Sequence, residues 1–309
     1  GLGIYANNIT NITTGDITAG NTGVFQHNTS VTGALKTGKI TLTGNEDNMI
    51  GVYTSGNTTN VEINGLELTG LENLTGIYVG KGGFKNTGNI SINAGKLSYG
   101  IYIKGDAGNK TVDFGSGTSN IVLGNESLGL YLDNVNVTGS MPTGITVGDS
   151  NTSGKQSVGI YAKDTAVSNP VGTNVISGKE SVGVYFDTNT GNIEYNGSVS
   201  LGENSLGIYK NSGTLKRNPL ASLVFTGTNN MQSTGFYLDN AVLDFTSGAL
   251  NANTLSMNSG IAFLLKGNTS DVRVNGTTIT PTQLDSLGLA PKVERIVYSE
   301  KNETVAGDI

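Results

Sequence analysis

Cysteine and tryptophan are absent from this 309-residue chain, and histidine occurs once. No disulfide or thiolate metal site can form, so stability must come from packing and backbone pairing. A large extracellular fold without cysteine fits an exported bacterial protein better than a eukaryotic secreted one. Proline is limited to five positions, and charged residues make up only 14% of the chain. Arginine occurs three times, at Arg217, Arg273 and Arg295, and the net charge is −6. No basic face can be read, which argues against a nucleic-acid partner. No apolar run approaches the roughly 20 residues of a membrane helix, and no segment shows helical periodicity.

Glycine, asparagine and threonine together account for 121 of the 309 residues. Such a composition without pattern would indicate disorder, but here it is patterned. A Gly–apolar–aromatic tripeptide recurs as Gly3-Ile4-Tyr5, Gly23-Val24-Phe25, Gly51-Val52-Tyr53, Gly76-Ile77-Tyr78 and Gly100-Ile101-Tyr102. It continues through Gly129-Leu130-Tyr131, Gly159-Ile160-Tyr161, Gly183-Val184-Tyr185, Gly207-Ile208-Tyr209 and Gly235-Phe236-Tyr237, decaying at Gly260-Ile261-Ala262-Phe263. A fixed period of this size marks units that bury their apolar faces only by stacking.

Runs of period two, such as Ile90-Ser91-Ile92 and Ile101-Tyr102-Ile103, flank Gly-bearing turns, as short strands do. Asn-Gly turns would also serve hairpins. The unit is nevertheless too short for a propeller blade and lacks the leucine-rich pattern. The predicted fold is all-β, a right-handed parallel β-helix (solenoid) of about eleven coils of about 25 residues. Residues 1–265 are expected to be the repeat domain, with 266–309 a divergent coil or the start of a further segment. Within that tail, 281–289 reads as a turn or one-turn helix and 293–298 as a strand. The chain opens inside a repeat, so the expectation is an excerpt whose export and anchoring signals lie outside it.

Alternation then orients side chains. The residue after each Gly should face the core, as should the one two positions further on, with Gln26, Thr54 and Lys210 as exceptions. Gly and Tyr should face outward. Tyr53, Tyr78, Tyr102, Tyr131, Tyr161, Tyr185, Tyr209 and Tyr237 would then form an external ladder beside a glycine column, shielding bare backbone. The ladder reads first as structural reinforcement and second as a stripe that binds sugar or protein. These eight tyrosines are the candidate ligand-binding residues.

Little else points to chemistry. His27 stands alone beside a polar run and reads as a solvated loop residue, and no Gly-x-Ser-x-Gly is present. The Gly-Gly-x-Gly-x-Asp calcium repeat is missing, because Gly80-Lys81-Gly82-Gly83-Phe84 lacks the Asp. Asp47, Asp106, Asp133, Asp164, Asp187 and Asp239 fall singly near strand ends, where Asp serves turns. Glu62 with Glu67, and Asp239 with Asp244, are the acidic pairs able to approach one another. No catalytic residue, metal site or cofactor is expected, and the chain reads as non-enzymatic. A β-helix polysaccharide lyase or hydrolase, or a phage tailspike-like glycan-binding protein, is the alternative. The longer intervals place candidate recognition loops at 104–120, 139–157 and 210–222.

The unit Ser-(Leu/Val)-Gly-(Ile/Leu/Val)-Tyr at Ser127, Ser157, Ser181 and Ser205, with Gly178-Lys179-Glu180 and Gly88-Asn89-Ile90-Ser91-Ile92, carries a family resemblance. It resembles the passenger domains of large type V autotransporter adhesins, most closely the fusobacterial outer-membrane ones, over roughly residues 1–265. The resemblance implies a right-handed β-helical stalk exported through a C-terminal outer-membrane barrel not in this chain. It further implies display on the bacterial surface, and a role in virulence through coaggregation and attachment to host cells. The partners would be a host receptor protein, a glycan or another bacterium's surface protein. No family binding residue maps onto a numbered position here.

Overall fold

The computed structural model describes residues 1–105, 110–150, 155–187, 192–228, 232–246, 250, 254–280 and 295–299. Two compact units divide the chain: Gly1–Gly148 with Ala162–Asn169, and Asp149–Tyr161 with Pro170–Ile309. Among the described residues there is no helix, and parallel strands stack as a β-solenoid. Its turns number about nine rather than eleven. The sheet that receives one strand per turn has ten strands, which enclose nine intervals.

In the first unit, one sheet aligns Val24, Val52, Ile77, Ile101 and Leu130 in register, with Phe25 and the tyrosines beside them. A second face of the same sheet runs Ile12, Leu35, Val61, Phe84, Val112, Val137 and Val167. A separate sheet runs Ala19, Leu42, Leu68, Ile92, Ile121 and Ile145. Most of these aliphatics are sealed from solvent. Each fully buried one contributes about 1.5–3 kcal/mol of transfer free energy.

The second unit repeats the plan. Its sheets carry Val184–Ile208–Phe236–Phe263, Ile193–Leu215–Leu243–Val272 and Val175–Val199–Leu223–Leu255. The described part of the tail joins these sheets. Asp271–Val274 pairs parallel with Val242–Phe245, and Arg295–Ser299 pairs parallel with the strand Ile261–Lys266. The predicted segment 281–289 lies outside the described residues, as do Asp106 and positions 151–154 of the loop 139–157. Of the intervals expected to project as loops, 210–222 is mostly strand, being covered as far as Arg217 by Leu206–Arg217, while 104–120 holds the short strand Lys110–Asp113 and 139–157 the short strand Gly144–Val147.

Corners explain the serine of the repeat. A residue with positive φ precedes the corner in turn after turn: Asn73 (57°), Leu97 (59°), Glu126 (57°), Glu180 (54°) and Asn204 (56°). The next side chain points inward, as Leu74, Ser98, Ser127, Ser181 and Ser205, all buried. The amide of Ser98 donates to Ser127 Oγ at 3.0 Å, that of Ser181 to Ser205 Oγ at 3.1 Å, and that of Ser205 to Ser233 Oγ at 3.1 Å. The hydroxyls donate in turn to local carbonyls, Ser205 to Glu203 O at 3.1 Å. Buried corner amides are thereby satisfied between turns.

The predicted orientation of the glycines is corrected. Gly51 and Val52 are both buried, so the strand departs from strict alternation at the motif. A Cβ on Gly23 would lie 2.5 Å from Gly51 O and 2.6 Å from Ile40 Cγ2. One on Gly183 would lie 2.7 Å from Gly207 O and 2.8 Å from Val199 Cγ1. The glycines form an interior column against side chains of the separate sheet, such as Ile40 and Val199. In the last copy Ala262 takes that column, Phe263 pairs with Phe236 and Leu264 with Tyr237, so Ile261 is only half-buried. Gln26, Thr54 and Lys210 break the polarity rule but not the geometry: all three are fully buried.

Candidate functional site

The tyrosine column is real, and its rings stack on one another. In the first unit Phe25–Tyr53, Tyr53–Tyr78, Tyr78–Tyr102 and Tyr102–Tyr131 have centroids 4.7, 4.7, 4.9 and 4.3 Å apart. In the second, Tyr161–Tyr185 and Tyr185–Tyr209 stack at 5.0 and 4.1 Å. The spacing follows the strands, which lie about 4.8 Å apart. The faces expected to receive a ligand are occupied by neighbouring rings, and most of the column presents edges and hydroxyls. Desolvation raises the Tyr78 hydroxyl above its ordinary range, with Tyr102 and Tyr53 adding to it. Tyr209 is raised further, again mainly by burial, and is the most enclosed of the column.

The stack breaks at Tyr237, whose plane lies at 82° to Tyr209. Its in-register neighbour on the other side is Leu264, which offers no ring to stack on. Here the second unit carries a groove of about 560 Å3. One wall is the corner row Gln156, Glu180, Asn204 and Gln232, each directly before an inward serine. The other wall holds Tyr161, Tyr185 and Tyr237, over a floor that includes Val182 and Leu206. The corner row was missed from sequence, although its signal is simple: it is the residue preceding the serine of the repeat.

The other named residues do not converge. His27 sits half-buried on the strand Thr22–Lys36, its Nδ1 2.7 Å from Ser55 Oγ, and is not a loop residue. Glu62 pairs with Lys36 at 3.2 Å and Glu67 with Lys39 at 2.7 Å, while Asp239 pairs with Lys266 at 3.1 Å. Asp244 accepts the amide of Gly276 at 3.0 Å. Among the described residues, no group of three or more His, Cys, Asp or Glu is placed to hold a metal ion.

Two cations lie inside the second unit. Arg217 is fully buried and donates to Tyr195 O, Ala221 O and Ser222 O at 3.1, 3.0 and 3.2 Å, with its guanidinium 5.3 Å from the Tyr195 ring centre. Burial lowers its pKa to about 10. Lys210 donates to the carbonyls of Asn211 and Ser212, and burial lowers it to about 8 despite the opposing Asp187. Arg217 ends the strand Leu206–Arg217, and Lys210 lies within it, two residues before Ser212 with its positive φ of 52°.

Compared with known proteins, the chain matches no family model, no curated protein and no solved structure.

Proposed function

We propose that this chain is a non-enzymatic segment of a bacterial surface adhesin, a β-helical passenger of autotransporter type. It holds attachment surfaces away from the cell for host receptors, glycans or other bacteria. The parent is anchored by an outer-membrane barrel outside this chain. The observation that carries this reading is the ring column repeated turn by turn, stacked from Phe25 to Tyr131 in the first unit and from Tyr161 to Tyr209 in the second. A scaffold repeated turn by turn suits presentation of a regular surface, whereas catalysis needs a few groups brought to one point.

Bacteria displaying the parent protein with and without residues 1–280 test the reading. Attachment to epithelial cells and coaggregation should fall several-fold at equal surface abundance. Undiminished attachment sinks it, as does release of reducing or unsaturated ends from polysaccharides by the isolated chain.

A further inference from the structure

From the groove of the second unit we infer a binding site for an extended, unbranched, uncharged oligosaccharide lying along the stacking direction. This rests on the attachment role proposed above and names its ligand class.

The groove crosses five successive strands, those carrying Tyr161, Tyr185, Tyr209, Tyr237 and Leu264, a span of about 19 Å at the strand spacing. Its polar wall repeats once per turn, so a chain of sugars extended along it meets one side-chain group per residue or so. Gln156, Asn204 and Gln232 each offer a donor and an acceptor, the mixed pattern that ring hydroxyls need. The apolar floor and the unstacked Tyr237 suit the CH faces of the same rings. Glu180 is the single charged side chain in the described lining, which disfavours uronic or sialic acids through like charge.

An extended peptide is a poorer fit. Strand addition needs free backbone groups, but the amides beside the groove are committed between turns. Val182, Leu206, Thr234 and Ile261 donate to Ser157, Ser181, Ser205 and Ser233 carbonyls at 2.9, 2.9, 3.0 and 2.9 Å. An acyl chain would leave the amide row without partners.

Calorimetry on the whole chain tests the assignment. The probes are cello-, manno-, xylo- and chito-oligomers of two to six sugars, pentagalacturonate, and an unstructured heptapeptide. At least one neutral series should bind, with affinity rising to four or five sugars and then levelling. Asn204→Gly removes the amide while suiting the positive φ of 56°, and should weaken binding at least fivefold. Tyr237→Ala should do the same, with Tyr237→Phe retaining most affinity and far-UV circular dichroism unchanged throughout. Glu180→Lys should admit pentagalacturonate. The inference is overturned if no neutral oligomer binds, if the acidic oligomer or the peptide binds better, or if the groove variants bind as wild type. Such a failure leaves the attachment role standing, because that role is read from whole-segment deletion on cells.

Discussion

The backbone N–H of Ser181 donates to the hydroxyl of Ser205 one turn further on, at 3.1 Å, inside a corner closed to solvent. Ser205→Ala removes that acceptor and leaves a buried amide unpaired. The expected loss is about 1–2 kcal/mol, read by urea denaturation. Hydrogen exchange should quicken first at Ser181. Exchange at Ser181 as slow as in wild type would show that the bond does not hold the corner.

Gly183 and Gly172 make a paired test of the glycine column. Gly183→Ala drives a Cβ against Gly207 O and Val199, whereas nothing lies near Gly172. The first substitution should cost about 2–3 kcal/mol, and the second should stay within about 0.5 kcal/mol of wild type. Equal effects would return the glycines to the outside.

Ile101 is fully buried, while Tyr102 is half-buried between Tyr78 and Tyr131. Ile101→Asp places an unpaired carboxylate among stacked aliphatics and should cost at least about 3 kcal/mol. Tyr102→Ser removes two stacking contacts and should cost about 1–2 kcal/mol. Both are measurable by thermal unfolding. A tyrosine change as damaging as the isoleucine change would mean the ring column bears the core load.

Lys210 gives the fold a pH dependence. The unfolded chain holds its lysine proton up to 10.5, whereas the folded chain releases it near 8. Across that window the unfolded state binds more protons, so stability rises with pH and the penalty is fully present below it. Tyr209 acts the other way: its folded pKa is raised, so its contribution holds below pH 10 and is lost above. Between pH 8 and 10, wild type should gain about 2 kcal/mol relative to Lys210→Met. Parallel stability–pH curves for the two proteins would refute this.

The solenoid was legible because period-two runs, turn residues and a fixed interval agree on one answer. Alternation failed at the motif itself, where Gly51 and Val52 both turn inward, since period two permits only one of them. The tyrosine ladder was foreseen, but the occupation of its ring faces by neighbouring rings was not. That depends on centroid distances that sequence does not contain. Lys210 and Arg217 were unreadable as interior residues because their chemistry argues for the surface. What admits them is local, namely backbone carbonyls within reach of each cation. The groove depends on Leu264 following Tyr237 in register, and that register is shifted from the one the last glycine advertised.

The serine and glycine columns also constrain how such a chain can change length. Both are held from one turn to the next, so a few residues gained or lost within a strand would throw every later column out of line. Whole turns can be copied or deleted without that cost. Smaller insertions must be shed where the pairing is interrupted, as between Asn28 and Gly33, where pairing with the following strand skips and resumes. Asn8 Oδ1 holds the amides of Thr29 and Ser30 there at 2.7 and 2.9 Å. Descent of this architecture is therefore expected to proceed by duplication of complete turns, with the variable residues of each copy gathered at its corners.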